Sequence, residues 1–254
     1  MKFSLFEKAA SRLYYFASGT SASHMRYRVA DLDFHLADLR MAVETLGAYM
    51  NTEIQNWPDL FAETNDARNL ADLLNHYGSD KASRHNYQLI YAWLLDRTSA
   101  FEMLEIGLGT NDPELRSTMG VNGRPGASLR AFRDWAPRCK VFGADVDTRI
   151  LFTEERIETY FVDQTDPATL TELGLKLPPL DLIIDDGLHT PGANMNVINF
   201  AMPLLKPGGV LVIEDIPPVF LPFWRVAIPV LSRDYDCKLV QMKFEVAAIL
   251  KKRS

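Results

Sequence analysis

The middle of the chain contains the stretch Met103-Leu104-Glu105-Ile106-Gly107-Leu108-Gly109-Thr110. Its mostly apolar start predicts a buried strand, and its two glycines predict a tight turn in which the backbone can approach a ligand closely. A Gly-x-Gly turn alone is a weak signal, because ordinary turns contain it too. The third glycine of the dinucleotide-binding pattern is absent, and Glu105 disfavours a pyrophosphate, which requires a positive field. The turn therefore suits a cationic ligand better than a dinucleotide.

From this stretch onward, short β-rich runs alternate with helical segments. Strands are predicted at residues 101–106, 140–145, about 158–162, 180–184, 208–213, about 236–243 and 245–251. Helices are predicted at about 127–135, 149–154, 167–172, 192–205 and 222–233. Such alternation is typical of an α/β fold with a doubly wound, mostly parallel sheet, here of seven strands. No helix separates the last two runs, so they predict an antiparallel C-terminal hairpin at the edge of the sheet.

Ahead of this α/β domain, assigned to residues 59–254, residues 1–58 predict a helical, coiled-coil-like extension. Apolar residues recur in it with spacings of 3, 4, 3, 4, 3 and 4, at Val29, Leu32, Leu36, Leu39, Val43, Leu46 and Met50. This is a heptad seam of about three heptads. A helix with such a seam either packs on its own domain or associates with a second copy of the chain. The strict spacing adds weight to the second reading, so we expect a homo-oligomer formed through this helix.

Composition narrows the class of partner. The net charge of −6 over 254 residues argues against nucleic acid, because phosphate binding requires a basic surface. Cys139 and Cys237 stand far apart without a Cys/His cluster, so neither a zinc site nor a disulfide framework is indicated. No stretch approaches the roughly 20 apolar residues of a membrane helix. We expect a cytoplasmic protein that acts on a small molecule.

Polar side chains follow the second and third predicted strands. Asp145 lies about 40 residues after the glycines, where a carboxylate can accept both hydroxyls of a ribose, or can simply cap the next segment. Asp163 and Gln164 could hydrogen-bond the amine and ring nitrogens of an adenine, or form a turn. In register with the glycine turn, these residues favour a ligand that contains an adenosyl group.

Acidic residues follow the fourth and fifth predicted strands. Asp185 and Asp186 end one strand, with His189 three residues later, and Glu214 and Asp215 end the next. The carboxyl ends of parallel strands lie at the same edge of a sheet, so these carboxylates should surround one crevice. They should repel each other unless a cation lies among them. Oxygen ligands without cysteine favour Mg²⁺ or a similar divalent ion. A histidine beside such a site is suited to act as a general base.

In this order and spacing, the motifs resemble those of class I S-adenosylmethionine-dependent methyltransferases. More narrowly, they look like the metal-dependent sugar and macrolide O-methyltransferases of the mycinamicin, macrocin and cephamycin type. The resemblance spans about residues 76–216. Its most specific parts are Tyr77-Gly78-Ser79-Asp80-Lys81, Leu104-Glu105-Ile106-Gly107, Gly126-Ala127-Ser128-Leu129-Arg130, Asp163-Gln164-Thr165-Asp166, Ile184-Asp185-Asp186-Gly187-Leu188-His189 and Val212-Ile213-Glu214-Asp215.

The resemblance implies a role for each matching residue. Around S-adenosylmethionine it places Glu105, Gly107 and Gly109 along the methionine part, Ser128 near the carboxylate, Asp145 at the ribose, Asp163 and Gln164 at the adenine, and Asp185 closing the pocket near the sulfonium. It makes Asp186, Glu214 and Asp215 the ligands of Mg²⁺ and His189 the base. The expected reaction is methyl transfer to a hydroxyl of a sugar-containing or other small metabolite, such as a glycan or natural product.

Other functions remain open at this stage. The acceptor could be a nitrogen or a small phosphorylated molecule. An NAD-linked Rossmann oxidoreductase is disfavoured by Glu105 and by the acidic strand ends, and a non-catalytic scaffold by the retained acid and histidine set. Residues 111–124 form an insertion after the first strand that could cover the cofactor or contact the acceptor. The apolar, proline-rich residues 216–224 could form a wall of the acceptor site.

Overall fold

The computed structural model describes residues 22–253, with side chains from residue 32 onward. Its α-helices are α1 (Ala22–Tyr49), α2 (Trp57–Leu60), α3 (Asn65–Tyr77), α4 (Asp80–Ser83), α5 (Gln88–Leu94), α6 (Ala127–Trp135), α7 (Pro167–Gly174), α8 (Pro191–Leu204) and α9 (Leu221–Leu231). Its strands are β1 (Ile54–Asn56), β2 (Glu102–Ile106), β3 (Lys140–Asp145), β4 (Thr153–Glu154), β5 (Ile157–Phe161), β6 (Leu180–Asp185), β7 (Leu205–Ile216), β8 (Tyr235–Gln241) and β9 (Val246–Lys252).

The strands form one sheet in the order β1-β8-β9-β7-β6-β2-β3-β5-β4. The central strands β7, β6, β2, β3 and β5 are parallel, while β9 runs antiparallel to both β7 and β8. Alternate residues of each strand pack against helices on the two faces: α3, α5 and α6 on one, and α7, α8 and α9 on the other. The chain order reverses between β2 and β6, and a crevice opens at such a point outside the carboxyl ends of the strands.

The predicted α/β class is confirmed, and each of the seven predicted strands is present. Two short strands extend the sheet to nine: β1, which pairs with β8, and β4, which pairs with β5. The predicted hairpin is present as β8 and β9, with β9 inside the sheet rather than at its edge.

The helix predicted at residues 149–154 is wrong. A single 3₁₀ turn, Thr148–Ile150, is followed by β4. The side chain of Asp147 caps the turn by accepting from the backbone N–H of Arg149. Beyond it, Phe152 exchanges hydrogen bonds with the Thr159 hydroxyl, which draws the segment into the sheet. Tertiary pairing with β5 thus overrides the local helical pattern.

The helix predicted across the heptad seam is present as α1. It packs on α9 near its C-terminal end, where a Cβ on Gly47 would lie 2.6 Å from the Pro222 carbonyl oxygen. Part of the extension predicted for residues 1–58, residues 1–21, lies outside the described residues. Near the end of the extension, β1 joins the sheet of the α/β domain. Within residues 22–253, no helix combines the length and apolar character that a membrane span requires.

Candidate active site

Two adjoining cavities lie at the carboxyl edge of the sheet, where the crevice is expected. The larger, of about 520 Å³, is lined by the ends of β2, β6 and β7 and by α4. The smaller, of about 260 Å³, is lined by the ends of β2, β3 and β5. Gly107 and residues 116–117 border both, so the two cavities share a wall. One elongated ligand could therefore lie across the glycine turn with an end in each cavity.

The glycine turn is formed by backbone that no other residue type could adopt comfortably. Gly107 has φ +97°, and a Cβ there would lie 2.1 Å from the Asp186 carbonyl oxygen. Gly109 has φ +82°, and a Cβ there would lie 2.1 Å from the Met119 sulfur. The first glycine thus lets β2 approach β6 closely, and the second makes room for the inserted loop.

Glu105 lies at the end of β2 in the floor of the larger cavity. Its side chain is 1% exposed, accepts a hydrogen bond of 2.7 Å from the Ser128 hydroxyl, and lies 3.2 Å from the Lys81 ammonium. Burial raises the pKa of Glu105, and the Lys81 charge opposes that shift. The structure thus brings the predicted residues Glu105 and Ser128 together, and adds Lys81 to them.

Asp145 and Asp163 line the smaller cavity, as their predicted contacts with ribose and adenine require. Asp145 also supports the glycine turn, because its carboxylate accepts from the Leu108 N–H over 2.7 Å and from the Asp147 N–H over 2.8 Å. Asp163 accepts from both the N–H and the hydroxyl of Thr165. Both carboxylates therefore have protein partners while they face the cavity.

Gln164 joins the ends of β5 and β6. Its amide donates to Asp185 over 2.5 Å and accepts from the Leu188 N–H over 2.8 Å, and it lines the smaller cavity. Asp185, in contrast, is 1% exposed and lines neither cavity. A second amide, from Asn194, donates to its carboxylate over 2.8 Å. Asp185 therefore anchors Gln164 and Asn194 in this structure, and its place near the sulfonium stays a prediction.

Asp186, His189 and Asp215 converge in the larger cavity. Each can offer one ligand atom, and these atoms lie within 4.8 Å of one another. Both His189 (φ +53°) and Asp215 (φ +50°) have left-handed backbone, which is strained in residues other than glycine and concentrates at functional sites. The Nδ1 atom of His189 is buried without a hydrogen-bond partner within residues 22–253. This trio can hold a cation or accept a proton.

Glu214, the third predicted metal ligand, lies deeper than this trio. It is 1% exposed, and it contacts the Lys81 ammonium and the Tyr91 hydroxyl. Burial raises the pKa of Glu214 well above its usual range, and the charge of Lys81 opposes the shift. Both of its oxygens thus have partners, whereas Asp186 uses Oδ2 for Lys81 at 2.6 Å and directs Oδ1 toward His189 at 3.8 Å.

Sequence reasoning missed the side chains that surround the carboxylates. Lys81 is 3% exposed and contacts Glu105 and Asp186 as well as Glu214. In the sequence, Lys81 belongs to the polar run 77–81, which is part of the resemblance but carries no role for this residue. In the structure, Gly78 ends α3 and the Ser79 hydroxyl caps α4. Tyr87, Tyr91 and His85 gave no signal, since nothing local connects them to strands more than 120 residues away.

The inserted loop at residues 111–124 covers part of both cavities. Asn111 links the start of the loop to its end. Its side-chain amide donates to the carbonyl oxygens of Gly120, over 2.7 Å, and Gly123, over 2.9 Å. Arg116 and Arg124 of this loop and Arg84 after α4 line the larger cavity, and none of them pairs with a carboxylate in the described part of the chain. The predicted wall is present in part, because Pro217 and Pro218 also line this cavity.

Comparison with known proteins identifies the class. A family model described as "Methyltransferase domain" matches residues 16–216. This match covers well over half of the sequence, so the chain belongs to that methyltransferase domain family.

The relatives found by sequence are O-methyltransferases. The chain is 32% identical over 168 residues to the 8-demethyl-8-alpha-L-rhamnosyl tetracenomycin-C 2'-O-methyltransferase of Streptomyces olivaceus, which covers 65% of this chain and 42% of that protein. It is 29% identical over 193 residues to the mycinamicin VI 2''-O-methyltransferase of Micromonospora griseorubida, which covers 74% of this chain and 46% of that protein. The chain thus spans less than half of the length of these curated relatives.

A solved structure of the MycE methyltransferase from the mycinamycin biosynthetic pathway, in complex with Mg and SAH, shares the fold. The TM-score is 0.59 at 24% identity, with 73% of this chain and 55% of that chain covered.

Proposed function

We propose that the chain is an S-adenosylmethionine-dependent, Mg²⁺-dependent O-methyltransferase that acts on a hydroxyl of a sugar-containing small metabolite. The observation that carries this proposal is the convergence of Asp186, His189 and Asp215 in one cavity, across the glycine turn from a second cavity of a size and polarity suited to a nucleoside. The relatives named above are O-methyltransferases by their names, and one of those names includes a rhamnosyl group, which supports the same acceptor class.

The cofactor would lie across the glycine turn. Asp145, Asp163 and Gln164 would bind its adenosine in the smaller cavity, and Gly107 and Gly109 would allow the backbone to approach it. Its methionine part would extend into the larger cavity toward Glu105 and Ser128, where the buried carboxylate suits an amino group. S-adenosylmethionine would supply an electrophilic methyl group on its sulfonium.

The residues at the site fit a divalent cation. Asp186 and Asp215 offer carboxylate oxygens within 4.8 Å of each other. Glu214 lies deeper, where its two oxygens contact Lys81 and Tyr91. The carboxylates Glu105, Asp186, Glu214 and Asp215 outnumber the cationic groups in contact with them, Lys81 and His85. Oxygen donors favour Mg²⁺ or Mn²⁺ over softer metals. A bound Mg²⁺ would lower the pKa of an acceptor hydroxyl and orient it.

The side chains of the site would do the remaining work. His189 would accept the proton from the attacking hydroxyl through Nε2, since His189 lines the larger cavity and this nitrogen lies 3.8 Å from Oδ1 of Asp186. Lys81 holds one oxygen of Asp186 and leaves the other facing the cavity. The loop at residues 111–124 would exclude water from the cofactor and keep the reacting atoms close.

An acceptor with a negatively charged group is the second candidate. Arg84, Arg116 and Arg124, which pair with no carboxylate among residues 22–253, line the same cavity as the carboxylates, and arginine binds carboxylate and phosphate well. A sugar that carries a phosphate or carboxylate could place its hydroxyls at the acidic end and its anion at the arginines. Neutral glycosides would leave those guanidinium groups without a partner.

A methyl-transfer assay tests these proposals. With S-adenosylmethionine and a panel of neutral glycosides, sugar phosphates and uronic acids, we expect transfer to a hydroxyl that EDTA abolishes and that added Mg²⁺ restores. A preference for neutral glycosides supports the first acceptor class, and a preference for the anionic sugars supports the second. Full activity in EDTA would reduce Asp186 and Asp215 to a structural role. Calorimetric binding of NAD instead of S-adenosylmethionine would refute the methyltransferase assignment.

We also propose that α1 joins two copies of the chain. Leu32, Leu36, Leu39 and Leu46 of the heptad seam are each more than half exposed, which is unusual for large apolar side chains that recur on one helix face. Burial of such a seam against the same seam of a second copy forms a coiled coil. The contact of α1 with α9 involves the end of the helix near Gly47 and leaves the middle of the seam open.

Replacing Leu36 and Leu39 together by glutamine should convert a dimer to a monomer, as measured by light scattering after gel filtration. The matched control replaces Phe34 and Met41 by glutamine in the same way. These two side chains are 67% and 59% exposed on the same helix but lie outside the seam. The control should stay dimeric. A monomeric wild-type chain, or equal loss of the dimer in both variants, would refute the coiled coil.

A further inference from the structure

Asp215 is held in an unfavourable backbone conformation, and one buried tyrosine supports it. The register between β7 and β9 shifts between Ile213 and Ile216, which places Glu214 and Asp215 in a bulge. Asp215 has φ +50°, in the left-handed region. Such strain persists only where the surroundings determine the conformation.

Tyr87 makes two hydrogen bonds to this residue. Its hydroxyl accepts from the Asp215 N–H over 3.0 Å and donates to the Asp215 carboxylate over 2.5 Å. The two bonds fix the main chain and the side chain of Asp215 with a single oxygen atom. Tyr87 itself is 1% exposed, so its ring has little freedom to move.

His85 lies beside Tyr87 at the same carboxylate. Its ring stacks on Tyr87 with centroids 5.2 Å apart, and its Nδ1 atom lies 3.1 Å from the same Asp215 oxygen. Two packed rings, those of Tyr87 and His85, thus confine this oxygen of Asp215.

We propose that Tyr87 is a positioning residue that aims the Asp215 carboxylate at a divalent cation shared with Asp186. This inference rests on the proposed metal-dependent function. The hydrogen bonds to Asp215 would keep its free lone pairs directed into the cavity before the cation arrives. Removing a hydrogen bond of this kind from a metal ligand typically lowers metal affinity by about 10- to 100-fold.

The test is calorimetric titration of Mg²⁺ into the full-length chain and into Tyr87→Phe, a change that removes one oxygen atom. We expect Mg²⁺ affinity to fall by about 10- to 100-fold, whereas affinity for S-adenosylhomocysteine stays within about threefold. Methyl transfer by this variant should recover as the Mg²⁺ concentration rises. The matched control is Tyr235→Phe, since Tyr235 is also buried but its hydroxyl has no partner within residues 22–253.

The outcomes separate the inference from the function on which it rests. If the unsubstituted chain does not bind Mg²⁺, the proposed metal dependence fails and the inference fails with it. If the unsubstituted chain binds Mg²⁺ and Tyr87→Phe binds it equally well, only the inference is overturned. Equal losses of Mg²⁺ and S-adenosylhomocysteine affinity would indicate a structural role and would also overturn it. If Tyr87→Phe does not fold, His85→Gln should weaken Mg²⁺ binding in the same direction, and unchanged affinity would refute the inference.

Discussion

Replacing Asp186 by alanine should reduce methyl transfer by at least about 10³-fold, because the variant loses both a cation ligand and the orientation of the acceptor. His189→Ala should reduce transfer by about 10²- to 10⁴-fold through loss of the general base. In both variants, affinity for S-adenosylhomocysteine should stay within about threefold, since neither side chain lines the smaller cavity. Rates with saturating S-adenosylmethionine and calorimetric binding of S-adenosylhomocysteine measure the two effects separately.

The metal separates the two roles further. Mg²⁺ binding should be lost in Asp186→Ala and retained in His189→Ala, if His189 is the base and not a ligand. Asp181→Ala is the matched control, because Asp181 belongs to the same strand, β6, but lies at its opposite end beside Lys206. It should transfer methyl groups at the wild-type rate. If Asp186→Ala and His189→Ala lost affinity for the cofactor to the same extent, the assignment of these two residues to the acceptor hydroxyl would be contradicted.

Replacing Lys81 by methionine should destabilise the fold by about 3–5 kcal/mol near neutral pH, because it removes one partner from a buried group of ion pairs. The ammonium contacts Glu105, Asp186 and Glu214 and is almost fully buried. Burial lowers the pKa of Lys81, but the three carboxylates raise it well above the usual value. Urea unfolding of the variant and the wild-type chain measures the difference in the free energy of unfolding.

The loss in free energy of unfolding caused by Lys81→Met should grow as the pH rises. Burial already raises the pKa values of Glu105 and Glu214, and the loss of Lys81 removes the charge that opposes this shift. A carboxyl whose pKa is higher in the folded state than in the unfolded state loses stability as the pH rises above the unfolded value, near about 4.3. The variant should therefore be closest to wild type near pH 5 and should lose stability progressively toward pH 8.

Lys206→Met provides the matched control for this prediction. Lys206 also contacts two carboxylates, those of Glu102 and Asp181, but all three side chains are about one-third exposed. Solvent screens such pairs, so their loss should cost less than about 1 kcal/mol. Lys81→Met could instead lower the free energy of unfolding no more than Lys206→Met does, or by an amount that does not change with pH. Either result would show that Lys81 does not balance the charge of Glu105, Asp186 and Glu214.

Local signals in the sequence were sufficient to predict seven of the nine strands and the residues at their ends. Apolar runs of four to six residues predict strands, and helical segments between them require parallel neighbours. Parallel neighbours bring their carboxyl ends to one edge, which is why residues as distant as Gly107, Asp145 and Asp186 could be assigned to one crevice. The pattern failed at residues 149–154, where pairing with β5 decided the structure.

Only the tertiary structure decided how the charges of the site are arranged. The contacts of Lys81 with Glu214 and of Tyr87 with Asp215 join residues 133 and 128 positions apart, and no periodic pattern encodes such pairs. The structure likewise buries Asp185 behind Gln164 while its neighbour Asp186 faces the cavity. Asp185 is the last residue of β6, whereas Asp186 lies in the loop that follows it. The sequence by itself determined which strand ends meet at the crevice, whereas packing of α4 and α5 against β7 determined which carboxylates have partners and which face the cavity.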